Sequence, residues 1–454
     1  MASSSLCLDN VPTTRPDLRA RLGSVAVLLI FLVALNVPPI QATSDLYVRS
    51  ELIVLVLCIV GYAWLLLAGL VRPIRVNAMF AAALVFSICV VMSMIYGTDV
   101  LHHELLYRDY FEIPKAWLPA LFFTMTFESQ LPEKAVQRFW RFLIIPTSLV
   151  CLYAWAQYFN LGISYFLNNY FSGGEHVDLA LRRYSRVYST FGNPNVLGQF
   201  LSFAIISYTA AFLFEVGSRA RNVAIAIACL ITMVLTGSRY ALLATGLGLI
   251  LLMLIVVSER RPGAKMLGLF LLLAVFSYTF MTVQRNTVHQ QKRFQELRHP
   301  ADVSSVRQRL DGLWREAGDY ITSSPFVGHG PAKQLFTGVF TDSEYLDILK
   351  QFGFVGFIPY LCLYLWPLYY LWKGRKTLRY VSERFRTENP ATLLNARIGF
   401  VVVIMALFMN IGMFTYLNWE VLGFLWLLMG LCTRSAMNIL SEYEGTFFSQ
   451  VAAP

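Results

Sequence analysis

Arginines recur beside Gly, Asn and Pro in three separate stretches of an otherwise apolar chain. Arg186-Val-Tyr-Ser-Thr-Phe-Gly-Asn-Pro-Asn195, which includes Asn193, is the first, and Leu235-Thr-Gly-Ser-Arg239 is the second. The third runs from Ser304 to Gly356 and holds Arg309, Arg315, Pro325-Phe-Val-Gly-His-Gly330, Asp342, Glu344 and Gly353-Phe-Val-Gly356. Planar guanidinium forks make paired, charge-assisted hydrogen bonds to phosphate. Glycine turns let backbone amides approach the same anion. Asp342, or Glu344 two residues on, offers a carboxylate that can accept a hydroxyl proton, helped where partial burial raises its pKa. His329 can exchange a proton near neutral pH or contact phosphate. Each group also has a plainer use. The arginines can pair with carboxylates such as Glu175, Asp178, Glu296 and Asp302, Asp342 can cap the helix that follows, and His329 can be a turn residue.

The elements that must hold these groups are membrane helices. The chain has 454 residues, 57% hydrophobic and only 14% charged, where a soluble domain carries about a quarter charged residues. The fold class is therefore an all-α polytopic membrane protein. Apolar runs near the ~20 residues needed to cross a bilayer fall at 22–40, 51–71, 78–97, 108–127, 142–162, 193–216, 222–237, 240–258, 266–284, 346–372, 397–416 and 421–437. That makes about twelve spans, with Glu112, Pro114 and Lys115 interrupting the fourth. The first run resembles a signal peptide in position but is long enough to span, and is read as uncleaved.

Alternating these spans from an inner N-terminus places 21 of the 37 Lys and Arg inside. Setting aside the long outer loop, which escapes the charge rule, the ratio is 21 to 7, so both termini are expected inside. The organisation that follows is an inner tail over 1–21, spans one to nine over 22–284, a large outer loop over 285–345, spans ten to twelve over 346–437, and an inner tail over 438–454. The net charge of +10 is then a matter of topology, and nucleic acid is not an expected partner. Arg182, Arg183, Arg186, Arg239, Arg307, Arg309 and Arg315 are the exceptions that fall outside. An anionic ligand at the outer surface is the natural counterweight. Six of the seven cysteines lie in apolar runs and none forms a Cys-X-X-Cys pair, while His102, His103 and His176 lack the spacing of a zinc helix. No metal or other cofactor is expected.

Within the outer loop, Val306, Leu310, Leu313, Ala317 and Tyr320 share the spacing of one helical face, with Ser304 or Ser305 as N-cap. Arg315 points away from that face and Arg309 flanks it. The outer aromatics Tyr184, Tyr188, Trp314, Tyr320, Phe336 and Phe340 can stack on sugar rings or pack the loop onto the bundle.

The three arginine stretches, with Arg309-Leu-Asp-Gly-Leu-Trp314 and the Asp342-Ser343, nine residues, Gly353-Phe-Val-Gly356 element, resemble the O-antigen ligase and O-antigen polymerase superfamily, bacterial inner-membrane glycosyltransferases of the GT-C type. The resemblance covers roughly residues 180–360. It implies a metal-independent, inverting transfer of an oligosaccharide from undecaprenyl diphosphate on the periplasmic face, with Arg186, Arg239 and Arg309 on the diphosphate. In the ligase branch a histidine opens the Gly-X-X-Gly element and is the proposed base. Here that position is Asp342, which favours the polymerase branch, with membrane lipid around the enzyme and a chain-length regulator as its protein partner. A transporter of an anionic lipid-linked substrate is the reading from another class. Paired, similarly patterned halves with helices broken at mid-membrane would mark one, whereas here the polar elements concentrate on one face.

Overall fold

A computed structural model describes residues 32–36, 40–41, 47–48, 50–67, 77–129, 131–164, 186–259, 312–336, 341–416 and 418–451. Two short strands, β1 (Ile40–Gln41) and β2 (Tyr47–Val48), pair antiparallel. The remaining architecture is helical: α1 (Ser50–Leu67), α2 (Ala78–Asp99), α3 (Leu118–Phe127), α4 (Glu133–Tyr158), α5 (Pro194–Leu213), α6 (Arg219–Thr236), α7 (Arg239–Ser258), α8 (Trp314–Ser323), α9 (Glu344–Thr377), α10 (Pro390–Met409) and α11 (Trp419–Val451). Among the described residues, eight helices are long and apolar enough to cross a membrane: α2, α4 to α7, and α9 to α11. The expected span at 266–284 lies outside the described residues, and of 22–40 only 32–36 and 40 lie within them.

Helix boundaries follow local chemistry. Asn77 caps α2 by accepting from the Phe80 amide, and Asn193 caps α5 by accepting from the Asn195 amide, with Pro194 at the first helical position. Glu133, at the start of α4, reaches across to the α10 N-terminus. Its carboxylate accepts from the Ala391 and Thr392 amides at 2.6 and 3.1 Å, meeting donors that no helical carbonyl can.

α5 is almost wholly buried and packs on α6, α7 and α10, while α11 packs on α3, α9 and α10, and α2 lies along α9. The core holds Phe200, Phe203, Tyr208, Tyr360, Tyr364 and Trp426, all fully buried. Outward faces stay apolar, as Val56, Leu57, Val60 and Trp64 on α1 and Leu243, Ile250 and Leu254 on α7 are exposed. A lipid-facing surface requires this.

Two expected spans are corrected. The run 108–127 is not one helix: a 3-10 turn (Tyr107–Phe111), a single α-turn (Glu112–Lys115) and then α3 divide it. α3 has ten residues and so reaches only ~15 Å. The interruption reflects the charges that Glu112 and Lys115 carry, both buried inside the protein. The tenth span is also broken. α9 leaves helical geometry at Gly353, with φ 60° and ψ −169°, a region open essentially to glycine alone.

That break interrupts the helical bonding of the Phe354 and Val355 amides to the Lys350 and Gln351 carbonyls. All four groups are re-paired by the segment 325–330. Phe354 N donates to Pro325 O at 2.9 Å and Val355 N to Phe326 O at 3.1 Å. In return His329 N donates to Lys350 O at 3.1 Å and Gly330 N to Gln351 O at 2.8 Å. Ser93 of α2 closes the arrangement, accepting from Gly330 N and donating to Gln351 O. The Pro325–Gly330 and Gly353–Gly356 motifs are thus one structural unit.

Glycine is required where backbones touch. A Cβ at Gly353 would lie 2.2 Å from the Phe326 carbonyl oxygen, and one at Gly328 2.4 Å from that of Gln351. Gly353→Ala should therefore destabilise the protein by more than the ~1–3 kcal/mol of the backbone conformation alone. Gly246→Ala, which meets open space, should be near neutral. Melting midpoints of the two purified variants test this, and equal midpoints would remove the unit's stabilising role.

Candidate active site at one end of the bundle

Arg186 sits where the chain returns to the bundle ahead of α5. Its Nε donates to Thr236 O at 2.7 Å and its Nη2 to Asn195 Oδ1 at 2.8 Å. Val187 N donates to Leu235 O, and Gln157 of α4 holds the turn by accepting from the Tyr188 and Ser189 amides. Gly237, left-handed at φ 62°, ends α6, and Arg239 is the first residue of α7. The first two arginine stretches therefore form one layer: Arg186, the exposed Asn193 and Asn195, and the hairpin bearing the half-buried Arg239.

The turn 410–416, which no sequence motif marks, joins this layer to the entry of α9 beside Asp342. Tyr240, next to Arg239, stacks on Phe408 at 5.6 Å and lies flat against Gly412. Gln199 of α5 donates to Phe414 O at 2.9 Å. On the other side Glu344 N donates to Asn410 O at 2.9 Å, with Ser343 Oγ on the same carbonyl. Trp314 Nε1 donates to Thr341 O at 2.7 Å, setting α8 beside Asp342, with Arg315 exposed and Ala317 buried as the periodicity implied. Arg309 lies outside the described residues.

Asp342 is half-buried and left-handed, with φ 52°. It does not cap α9: the N-cap is Ser343, without a side-chain cap bond. Glu344 is held by fixed partners. It is fully buried and accepts from the Tyr360 hydroxyl and from the Thr415 and Tyr416 amides. Asn410 Nδ2 donates to the Tyr360 hydroxyl at 2.8 Å, and Thr415 Oγ1 donates to Asn410 Oδ1 at 2.6 Å. A carboxylate holding these donors anchors the 410–416 turn to α9.

Cations stand close by. Lys115 lies 4.9 Å from the Tyr416 ring centre and is attracted by both Glu112 and Glu344. Glu112 pairs with Lys115 at 3.5 Å and with Lys333 at 2.9 Å. On α9, Lys350 pairs with Asp347 at 2.9 Å and covers the Phe336 ring at 4.1 Å. The one available signal in the sequence was Glu112 and Lys115 interrupting an apolar run, since buried ions need partners.

The 328–330 turn does not offer its amides to a ligand, as expected from its glycines, because the His329 and Gly330 amides serve the carbonyls of α9. The His329 ring is likewise enclosed, at 6% exposure. Its Nε2 lies 3.0 Å from Tyr320 O and 2.9 Å from Ser323 Oγ, and its Nδ1 lies 3.1 Å from His103 Nε2. A carbonyl only accepts, so His329 carries its proton on Nε2, and Nδ1 accepts from His103. The arrangement can be satisfied with both rings neutral. Burial holds the pKa of His329 below the ordinary histidine value, with Lys350 adding to it against the Tyr320 carbonyl. Burial also lowers His103, assisted by the charges of His329 and His102. The aromatics follow the packing alternative. Tyr188 is fully buried, and Tyr320 and Phe336 meet edge-on at 5.3 Å, while Tyr184 and Phe340 lie outside the described residues.

These features define a polytopic α-helical membrane protein whose cationic turns gather at one end of its bundle. Residues 224–361, less than a third of the chain, match the O-antigen ligase family model. Over that segment the chain is similar to the O-antigen ligase and polymerase superfamily, and the match does not separate its branches. It takes in the Arg239 hairpin, Asp342, Gly353 and Gly356, and leaves Arg186 outside. No curated protein matches the chain significantly.

With both histidines depressed, the unfolded chain binds protons first as pH falls below about 6.5. Stability is therefore fully present above that value and is lost as pH falls through the depressed folded pKa values. The melting midpoint should drop on acidification from neutral pH, and His103→Gln, which can still donate to His329, should flatten that dependence. An unaltered slope in His103→Gln would remove the pair as its source.

Proposed function

We propose that this chain is a polymerase of a bacterial surface polysaccharide acting at the periplasmic face of the inner membrane. It transfers a glycan from undecaprenyl diphosphate to an incoming lipid-linked repeat unit. The observation that carries the reading is that Arg186 braces the Arg239 hairpin, and that this hairpin and the entry to α9 beside Asp342 both pack against residues 408–412, at the helix ends of α5, α7, α9 and α10. Arg186, Arg239 and Arg309 bind the diphosphate, with Arg315, Asn193 and Asn195 at the edge of the same site. An acceptor hydroxyl attacks the anomeric carbon from the face opposite the diphosphate. The carbon–oxygen bond to the diphosphate breaks with inversion, the hydroxyl proton passes to Asp342, and the arginines meet the leaving group's charge. Those cations are held before the reaction begins, Arg186 by two fixed bonds, so little reorganisation accompanies charge development. A co-polymerase that sets chain length is the partner such an enzyme takes.

Transfer to lipid A core, the ligase reaction, is the second reading. Asp342, at the position where ligases carry histidine, favours the polymerase. Purified protein given lipid-linked donor with either core lipid or a second lipid-linked repeat decides between them by product length.

Arg239→Ala and Arg309→Ala should each lower transfer by about 10²–10³-fold while folded protein remains in the membrane. Polymer of unchanged length and yield would exclude the diphosphate clamp. Asp342→Asn keeps size but loses the charge, and should lower turnover by about 10²–10⁴-fold with donor binding retained. Wild-type turnover in that variant would leave the carboxylate without a role in proton transfer.

A further inference from the structure

The opposite end of the bundle holds a second cationic feature that the transfer reaction does not use. α7 begins at Arg239 and ends at Ser258, ~30 Å away along its axis. There Ser258 and Glu259, the C-terminal end of α9, the short helix Glu383–Glu388 and the start of α10 enclose a cavity of about 650 Å³. Five of its side chains are cations, Arg375, Lys376, Arg379, Arg386 and Arg397, against the two carboxylates Glu259 and Glu383.

Much of the framework is fixed. Arg397, 7% exposed, is held by Glu259 through two parallel bonds of 2.9 and 2.7 Å and covers the Phe214 ring at 4.1 Å. Arg386 Nη2 donates to the Leu378 and Arg379 carbonyls, and Arg379 Nη2 to Ser258 O. Arg397 thereby consumes Glu259, and Glu383 reaches Arg386 only at 3.9 Å. Arg375, Lys376 and Arg379 have no ion pair among the described residues. Arg375 and Lys376 lie instead over aromatic rings, Phe400 at 5.0 Å and Trp372 at 3.7 Å.

We propose that this cavity binds the phosphate-bearing headgroup of an anionic membrane lipid. The unpaired cations call for a phosphate. Trp372 and Tyr380, both exposed and lining the cavity, mark the depth at which headgroups lie. The exposed Tyr369 continues from Trp372 along the outside of α9, giving acyl chains an apolar wall. Basic pockets between spans at the inner surface suit such headgroups. Three helices that position the candidate active site, α7, α9 and α10, all end here, so an occupant braces them together. The inference stands apart from the proposed transfer and concerns binding alone.

The test uses the full chain in nanodiscs of phosphatidylcholine alone or mixed with phosphatidylglycerol. Melting midpoint and lipid retained in native mass spectrometry are the readouts. Phosphatidylglycerol should raise the midpoint and be retained. Arg375→Gln combined with Lys376→Gln should lose both effects, with affinity falling roughly twenty-five-fold, since each charge near such a surface is worth about fivefold. The control is Lys134→Gln combined with Lys373→Gln, two exposed lysines at the same end that do not line the cavity. It should behave as wild type. Equal losses in both pairs would reduce the effect to diffuse surface charge and overturn the site. Inorganic pyrophosphate, added without phosphatidylglycerol, is the further arm. Stabilisation by it that depends on Arg375 and Lys376, with no response to phosphatidylglycerol, would assign the cavity to a soluble phosphate and overturn the lipid.

Discussion

A helix broken inside an apolar bundle leaves backbone groups with no water to turn to, and that constraint shapes the centre of this protein. At Gly353 two amides and two carbonyls of α9 lose their helical partners. Each would cost several kcal/mol if buried unpaired. The segment 325–330 supplies the complementary four groups. Its glycines are there because the two backbones approach too closely for a Cβ, not to cradle an anion. The segment 325–330 is thereby bound into the bundle through its main chain, and α8, which precedes it, comes to rest beside Asp342.

The buried carboxylate of Glu344 organises the other half of the site. By accepting from the Tyr360 hydroxyl and two amides of the 410–416 turn, it ties the first residue of α9 to the far end of α10. That turn in turn touches Tyr240 and Gln199, so the arginine layer and Asp342 take their relative places from one polar knot. Glu344 anchors the turn, whereas Asp342, at a left-handed backbone position that is uncommon outside glycine, is half-buried beside α8.

The two ends of the bundle use arginine differently. At one end Arg186 is fixed by a carbonyl and an amide oxygen beside a hairpin of left-handed glycine. At the other, Arg397 is neutralised by Glu259 while Arg375 and Lys376 rest on aromatic rings. α7, α9 and α10 connect the two, and their length places about a membrane's thickness between them.

The sequence by itself determined the helical membrane class and most span positions, because a bilayer demands continuous apolar length that composition displays directly. It also determined that Arg186, Arg239 and Asp342 lie in turns at span ends, through Gly, Asn and Pro beside them. Only the tertiary structure decided which polar groups are spent on the fold. Glu344 and His329 have the same chemistry as free catalytic groups, and no periodicity reveals that Tyr360, Thr415 or His103 will complete them from 16, 71 and 226 residues away. The break at Gly353 was likewise hidden, since its cost is met by a segment distant in sequence, and pairing between backbones leaves no side-chain pattern to read.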